Sequence, residues 1–303
     1  MIRDIAYATF DALGGNALLR ARRPGAPVLC YHDVRATDST SGDPGLHLPL
    51  DQFVAQMQWL AAHTDVVPLT ELLGRQRQGR SLKGLAVVTF DDGYTGVLEH
   101  ALPVLARLQL PCTIFVTGRA PAQPRPFWWD WPALASIATD PAHRDRLLVE
   151  WQGDGERIAA AMALESTHEP ADCLPADWTA LRHVRSSMVE IGAHTMTHRN
   201  LVTLSDSELR DELVDSADAI EAGVGVRPRT LAYPYGLWDA RVAAALDAAG
   251  FEAGLTLDAR DVVAGDAPRA LPRTNIPAAI TTPAFAAWVS GLSDLRAQRA
   301  SHG

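Results

Sequence analysis

The chain has 303 residues, 47% of them hydrophobic, and carries 27 basic against 36 acidic side chains for a formal charge of -9. That length supports a large buried core in one or two domains, and the acidic balance excludes a protein built to track a phosphate backbone, which needs a basic stripe; no nucleic-acid partner is expected. Three widely spaced cysteines, Cys30, Cys112 and Cys173, exclude a disulfide framework or a zinc knuckle and read as buried thiols.

The first residues, MIRDIAYATFDALGGNALLR, have apolar positions at helical intervals but are interrupted by Asp4, Asp11 and the Gly14-Gly15 pair. They suit neither an export signal nor a membrane span, so the expectation is a cytoplasmic chain whose first helix packs on its own domain or lies at a membrane surface. From Pro27 the chain alternates short apolar runs with helical patterns: VLCYHDV, a helix from about Leu50 to Ala62, DVVPL, a short helix, LAVVTF, the helix VLEHALPVLARL, and PCTIFVTG. After a break come VEIGAHT, a long helix through SDSELRDELVDSADAIEAGVG, TLAYPYG, the helix ARVAAALDAAG, and FEAGLTL. Seven or so such units predict a parallel α/β barrel or a doubly wound sheet, with chemistry at the C-terminal ends of the strands. Residues of about 120–178, with "RPFWWDWPALAS", leave this rhythm and read as a helical insertion in a single domain over 1–303. The barrel core covers about 27–277, and a terminal helix and tail cover 279–303.

Two motifs carry chemistry. "VVTFDDGYTG" ends an apolar strand on Asp91 and Asp92. Neighbouring side chains on extended backbone point in different directions, so one carboxylate can hold a cation while the other faces a water; a helix cap followed by a turn residue is the alternative. In "EIGAHTMTHRNL", His194 and His198 stand four apart, a spacing that on a helical turn brings both rings to one face. Two imidazoles and a carboxylate form a donor set suited to zinc or another divalent first-row metal.

"TFDDG" at 89–93, "HTMTH" at 194–198 and "LAYPYG" at 231–236, in that order, resemble the first three motifs of the polysaccharide deacetylases, the NodB-homology or carbohydrate esterase family 4 group. The resemblance covers roughly residues 27–277. It implies a distorted (β/α)7 barrel and metal-dependent removal of acetyl groups from N-acetylhexosamine glycans, with zinc the expected ion and Co2+, Ni2+, Mn2+ or Fe2+ as alternatives. It also implies Asp92, His194 and His198 as metal ligands, Asp91 as general base, and Tyr235, after Pro234, as the residue whose backbone N–H holds the oxyanion.

The chain departs from the family pattern in three places. Ala232 stands where many members have the arginine that orients the base, and neither the fourth motif's aspartate nor the late leucine-histidine motif is present; after Tyr235 the only histidine is His302. An amine leaves a tetrahedral intermediate only once protonated, so an acid is needed from elsewhere. His32, in "VLCYHDV", ends the first strand, which in a closed barrel neighbours the last; this early tyrosine-histidine pair resembles the bacterial poly-N-acetylglucosamine deacetylase branch. Arg273, in "LPRTNI", is the candidate to orient Asp91, with a surface charge as the alternative. Tyr94 is expected to line the cleft, and Trp128 and Trp129 to stack on sugar or to anchor the insertion. The expected activity is N-deacetylation, with O-acetyl esterase action or a decayed glycan-binding protein as alternatives.

Overall fold

Runs such as Leu85–Phe90 are apolar throughout because each strand is buried on both faces, the condition of a parallel sheet covered by helices. In the computed structural model, which describes residues 2–36, 42–132, 134, 141–162 and 172–292, the elements in chain order are α1 (Ile2–Ala12), α2 (Gly15–Arg22), β1 (Val28–Tyr31), β2 (Asp33–Arg35), β3 (His47–Pro49), α3 (Leu50–His63), β4 (Asp65–Val66), α4 (Leu69–Arg77), β5 (Leu85–Phe90), α5 (Leu102–Leu108) and β6 (Cys112–Val116). There follow α6 (Pro141–Val149), α7 (Gly155–Ala161), α8 (Trp178–Val184), β7 (Val189–Ala193), α9 (Asp206–Val224), β8 (Thr230–Ala232), α10 (Ala240–Ala248), β9 (Ala253–Leu255), β10 (Thr274–Asn275) and α11 (Thr282–Ala287).

Seven strands run side by side in the order β10-β1-β5-β6-β7-β8-β9, with β4 also paired to β5, and every ladder is parallel. The curled sheet is the distorted (β/α)7 barrel expected from the motifs. Its first and last strands are neighbours: Leu29 lies opposite Thr274 and Cys30 opposite Asn275. A parallel bridge from Leu255 to Leu271 brings the chain round from β9 toward β10.

Strand alternation sorts the side chains into two layers. Val28, Leu85, Val87, Phe115, Ala232 and Leu255 belong to the barrel interior, while Leu29, Tyr31, Val88, Phe90 and Ile114 pack outward against the helices. A third cluster, built on Trp128, Trp129, Leu147, Leu148 and Ile158, is the core of the insertion. Local signals fix element ends as the sequence suggests. Ser205 and Glu208 form a reciprocal capping box at the start of α9, and Gly225, at φ 78, ends it.

Some elements differ from expectation. TLAYPYG is extended only over Thr230–Ala232, after which Pro234–Gly236 forms a tight turn because proline has no N–H to continue a ladder. FEAGLTL contributes only Ala253–Leu255, and the two-residue β10 is too short to leave a periodic signal. The terminal helix covers Thr282–Ala287 and runs into a wide turn at Trp288–Leu292; the expected tail at 293–303, like part of the expected insertion, lies outside the described residues. No helix among the described residues is long and apolar enough to cross a membrane.

Gly192 in β7 shows how tightly the interior is filled. A Cβ there would meet the Phe115 ring at 2.4 Å, and Phe115 is fully buried. Gly192→Ala is therefore expected to destabilise the fold by about 1–3 kcal/mol, the usual scale of overpacking, read as a lower urea midpoint at unchanged m-value.

Candidate functional site

The period of two along β5 carries inward from Val87 through Thr89 to Asp91, and along β1 from Val28 through Cys30 to His32. Both strands thus deliver polar side chains to the mouth of the barrel. Arg273, fully buried, reaches them from the start of β10. Its Nη1 and Nη2 donate to Asp91 Oδ1 and Oδ2 at 2.7 and 2.8 Å, Nη1 also donates to Thr89 Oγ1 at 3.2 Å, and Nε donates to the Thr256 carbonyl at 3.2 Å. The guanidinium also lies over the Phe115 ring, 5.4 Å from its centroid. Cys30 Sγ donates to Asp91 Oδ2 at 3.3 Å. Burial alone would raise the Asp91 pKa, but the charge of Arg273 overcomes it and holds the carboxyl well below the usual range.

Beside this pair, Asp92, His194 and His198 are all buried and offer three donor atoms to one point. His194 Nε2 lies 3.1 Å from His198 Nε2, and Asp92 Oδ1 lies 3.6 and 3.4 Å from these two nitrogens. Ligands about 2.1 Å from a tetrahedral ion sit about 3.4 Å apart, so the triangle has the dimensions of a zinc-type site. Its chemistry fits as well. His194 Nδ1 donates to the Ala232 carbonyl at 2.8 Å, which leaves the Nε2 lone pair facing inward. Asp92 Oδ1 is buried with no hydrogen-bond partner. Burial, and then the charge of Asp91, push the Asp92 pKa well above its ordinary value, while burial and His194 push His198 well below. A carboxylate left without a countercharge beside two neutral imidazoles is a site that calls for a cation.

The backbone that presents these ligands is not helical. His194 and His198 follow β7 through tight turns in which Thr195 and His198 have φ of 65° and 63°, and Asp92 and Tyr235 sit at φ 67° and 59°. The expectation that the HxxxH pair rides a helical turn is thus corrected: left-handed residues, not helical pitch, converge the rings. Of the six non-glycine residues with positive φ among those described, four belong to this cluster, and such strain persists where surrounding structure holds it. One restraint is Glu212 on α9, which accepts from the N–H groups of Met196 and Thr197 at 3.0 and 2.9 Å and from the Thr197 hydroxyl. Sequence reasoning missed Glu212; as an acidic residue within an amphipathic helix it gave no signal.

His32 sits at the cleft, half-buried, with a ring nitrogen close to both Cys30 Sγ and Asp91. Burial lowers its pKa to about 4 despite the opposing charge of Asp91, which favours the neutral imidazole. The Tyr235 ring packs edge-on against His198, 4.6 Å between centroids, and its hydroxyl accepts from Trp128 Nε1 at 3.2 Å. Pro234, which precedes it, is buried. Tyr94 is fully buried and Trp128 and Trp129 nearly so, at 3% and 4% exposure, which favours, of the two expected roles of the tryptophans, the one that anchors the insertion, and sets Tyr94 behind the site's surface. Trp129 instead walls the three-donor set, its ring 4.6 Å from that of His198.

A second polar cluster, also missed in the sequence, locks that wall in place. The Trp129 indole donates to the Tyr94 hydroxyl at 2.8 Å, Tyr94 donates to Asp130 Oδ2 at 2.6 Å, and His47 bridges Asp130 Oδ1 at 2.8 Å and Asp33 Oδ2 at 3.0 Å. Only a protonated imidazole donates from both nitrogens; burial opposes that form, but the two carboxylates outweigh it and raise the His47 pKa. Arg35 donates to Asp33 at 2.7 Å and to Cys173 Sγ at 2.9 Å. Although His47, Asp130 and Cys173 come close enough to share an ion, this guanidinium already supplies the positive charge there.

The sequence model described as Polysaccharide deacetylase matches residues 78–254, a span that includes Asp91, Asp92, His194, His198 and Tyr235 but neither His32 nor Arg273. The Bacillus subtilis protein YxkH, whose name places it among polysaccharide deacetylases, is 21% identical over 280 residues, covering 91% of this chain and 81% of its own length. The poly-beta-1,6-N-acetyl-D-glucosamine N-deacetylase of Staphylococcus epidermidis is 29% identical over 123 residues, 37% of this chain and 43% of that protein, so the likeness spans less than half of either. Among solved structures, IcaB from Ammonifex degensii shares the fold with a TM-score of 0.60 at 23% identity, over 89% of this chain and 98% of that one.

Two outcomes follow from the geometry. Arg273→Met leaves Asp91 buried without its partner and is expected to cost about 3–5 kcal/mol in urea unfolding, part of which Asp91→Asn restores in the double variant. Because the pKa of His47 is raised on folding, its contribution is fully present below the ordinary histidine value and is lost as pH rises through the folded one. The stability difference between wild type and His47→Gln should therefore be largest in mild acid and shrink toward alkaline pH.

Proposed function

The chain belongs to the polysaccharide deacetylase family, and on that premise we propose that it hydrolyses N-acetyl groups from an acetylated amino-sugar glycan, with Zn2+ as its metal. The observation that carries this reading is the juxtaposition of a free three-donor set, Asp92, His194 and His198, with a carboxylate, Asp91, held in one orientation by Arg273. When bound, the cation acts as a Lewis acid toward the acetyl carbonyl and lowers the pKa of water.

The remaining steps belong to the protein. Asp91 takes the proton of the attacking water as its oxygen bonds to the acetyl carbon, and Arg273 fixes which carboxylate lone pairs face that water. The bidentate hold of Arg273 on Asp91 supports a positioning role for it, from a different strand than that of Ala232. The backbone at Tyr235, turned by its positive φ, supplies the oxyanion donor in this reading. His32 then protonates the amine nitrogen as the C–N bond breaks, giving free amine and acetate. Burial disfavours its protonated form, so the proton it delivers is the one that Asp91 has taken from the water. The nearness of His32 to Asp91 favours proton traffic between them.

The test separates metal from base. Wild type, assayed for metal by mass spectrometry and for acetate release from a β-1,6-linked N-acetylglucosamine pentamer, should hold one ion per chain. His198→Ala should lose it, whereas Asp91→Asn should keep the ion and lose activity by about 10²–10⁴-fold. Loss of metal in Asp91→Asn, or acetate release untouched by it, would overturn the assignment.

A further inference from the structure

With Trp128 and Trp129 buried, the described structure holds a different aromatic at its surface. All of the chain's Phe, Trp and Tyr residues are described, and Trp238 alone among them is exposed, at 37%, beside the equally exposed Leu237. It lies on the loop between β8 and α10, on the face to which the strands deliver their catalytic side chains. It lies three positions along the chain from Tyr235, which bounds the distance between their Cα atoms at about 11 Å.

The surroundings of this indole are fixed. Its ring lies nearly parallel to that of Tyr233, 15° between planes and 6.2 Å between centroids, and the Tyr233 hydroxyl donates to the Arg269 carbonyl at 2.7 Å. On one flank the Leu237 N–H donates to the Pro234 carbonyl at 3.1 Å; on the other the Asp239 carboxylate accepts from the Val242 N–H at 2.8 Å and starts α10. One part of the indole packs on Tyr233 while more than a third of the residue stays open to water, and that open part offers a binding surface a contact with little further ordering cost.

We infer that Trp238 forms a sugar-binding subsite at the rim of the active site, stacking on the C–H face of a pyranose ring next to the one being deacetylated. Amino-sugar chains present such faces at each ring, and indole is the side chain best matched to them in area and polarisability. The subsite makes the protein selective for a chain of sugars over a single one. It rests on the deacetylase reading for the identity of the chain, and Trp238 touches the glycan without taking part in the proton transfers.

The test uses the metal-loaded full chain and a β-1,6-linked N-acetylglucosamine pentamer, with binding followed by calorimetry and turnover by acetate release. Trp238→Ala is expected to weaken pentamer binding and raise KM about five- to tenfold with kcat within about twofold, and Trp238→Phe to recover most of the loss. Pentamer binding and KM unchanged in Trp238→Ala would overturn the subsite. A fall in kcat at constant KM would also overturn it, because Trp238 would then only brace the Tyr235 turn. Trp238-dependent binding without any acetate release by wild type would uphold the subsite and sink the deacetylase assignment alone.

Discussion

A bidentate ion pair buried inside the barrel, Arg273 with Asp91, is the constraint on which the rest of the site depends. A carboxylate taken from water at the mouth of an apolar barrel is costly unless matched by charge and hydrogen bonds, and Arg273 supplies both from the strand next to β1. The pairing is possible only because the barrel brings its last strand against its first. The same guanidinium touches Thr89, Thr256 and the face of Phe115, so it joins β5, β6 and the end of β9 across the interior while fixing the Asp91 carboxylate.

Around that pair the chain stores strain where the chemistry lies. Asp92, Thr195, His198 and Tyr235 adopt left-handed conformations that side chains disfavour, each costing on the order of 1–3 kcal/mol. They persist because the neighbourhood over-determines them: Glu212 holds the His194–His198 turn, Asn200 donates to the Leu148 carbonyl at 3.1 Å, and Trp129 and Tyr235 close on the His198 ring from two sides. The insertion is therefore part of the site's wall. Its Asp130, clamped by His47 and Tyr94, ties the wall to the segment that follows His32.

The aromatic residues show how burial reassigns roles. In the sequence, "FWWDW" is the most conspicuous aromatic run and suggests a platform for sugar, yet Trp128 and Trp129 are turned inward to form the insertion's own core. The less conspicuous Trp238, one aromatic in a loop after the third motif, keeps its exposure because Tyr233 occupies the space beneath it. Composition and spacing cannot distinguish these two fates, since both depend on which surface another element covers.

By itself the sequence determined a parallel α/β chain, from apolar runs alternating with helical periods, and offered a candidate donor set, from Asp-Asp at one strand end and HxxxH at another; the choice of a barrel over a doubly wound sheet, and of Asp92 over Asp91 as the donor, came from the resemblance to the deacetylases. Those features are local: a strand's period and a strand's last residue are written in consecutive letters. It also pointed to His32 and Arg273, but only through what the usual motifs lacked. The tertiary structure alone decided that left-handed turns bring the histidines together, that Glu212 and His47 hold the site from a distance, and that Trp238 is open while Trp128 and Trp129 are closed. Each of these depends on contacts between residues far apart in the chain, and such contacts exist only once the barrel has closed and the insertion has packed upon it.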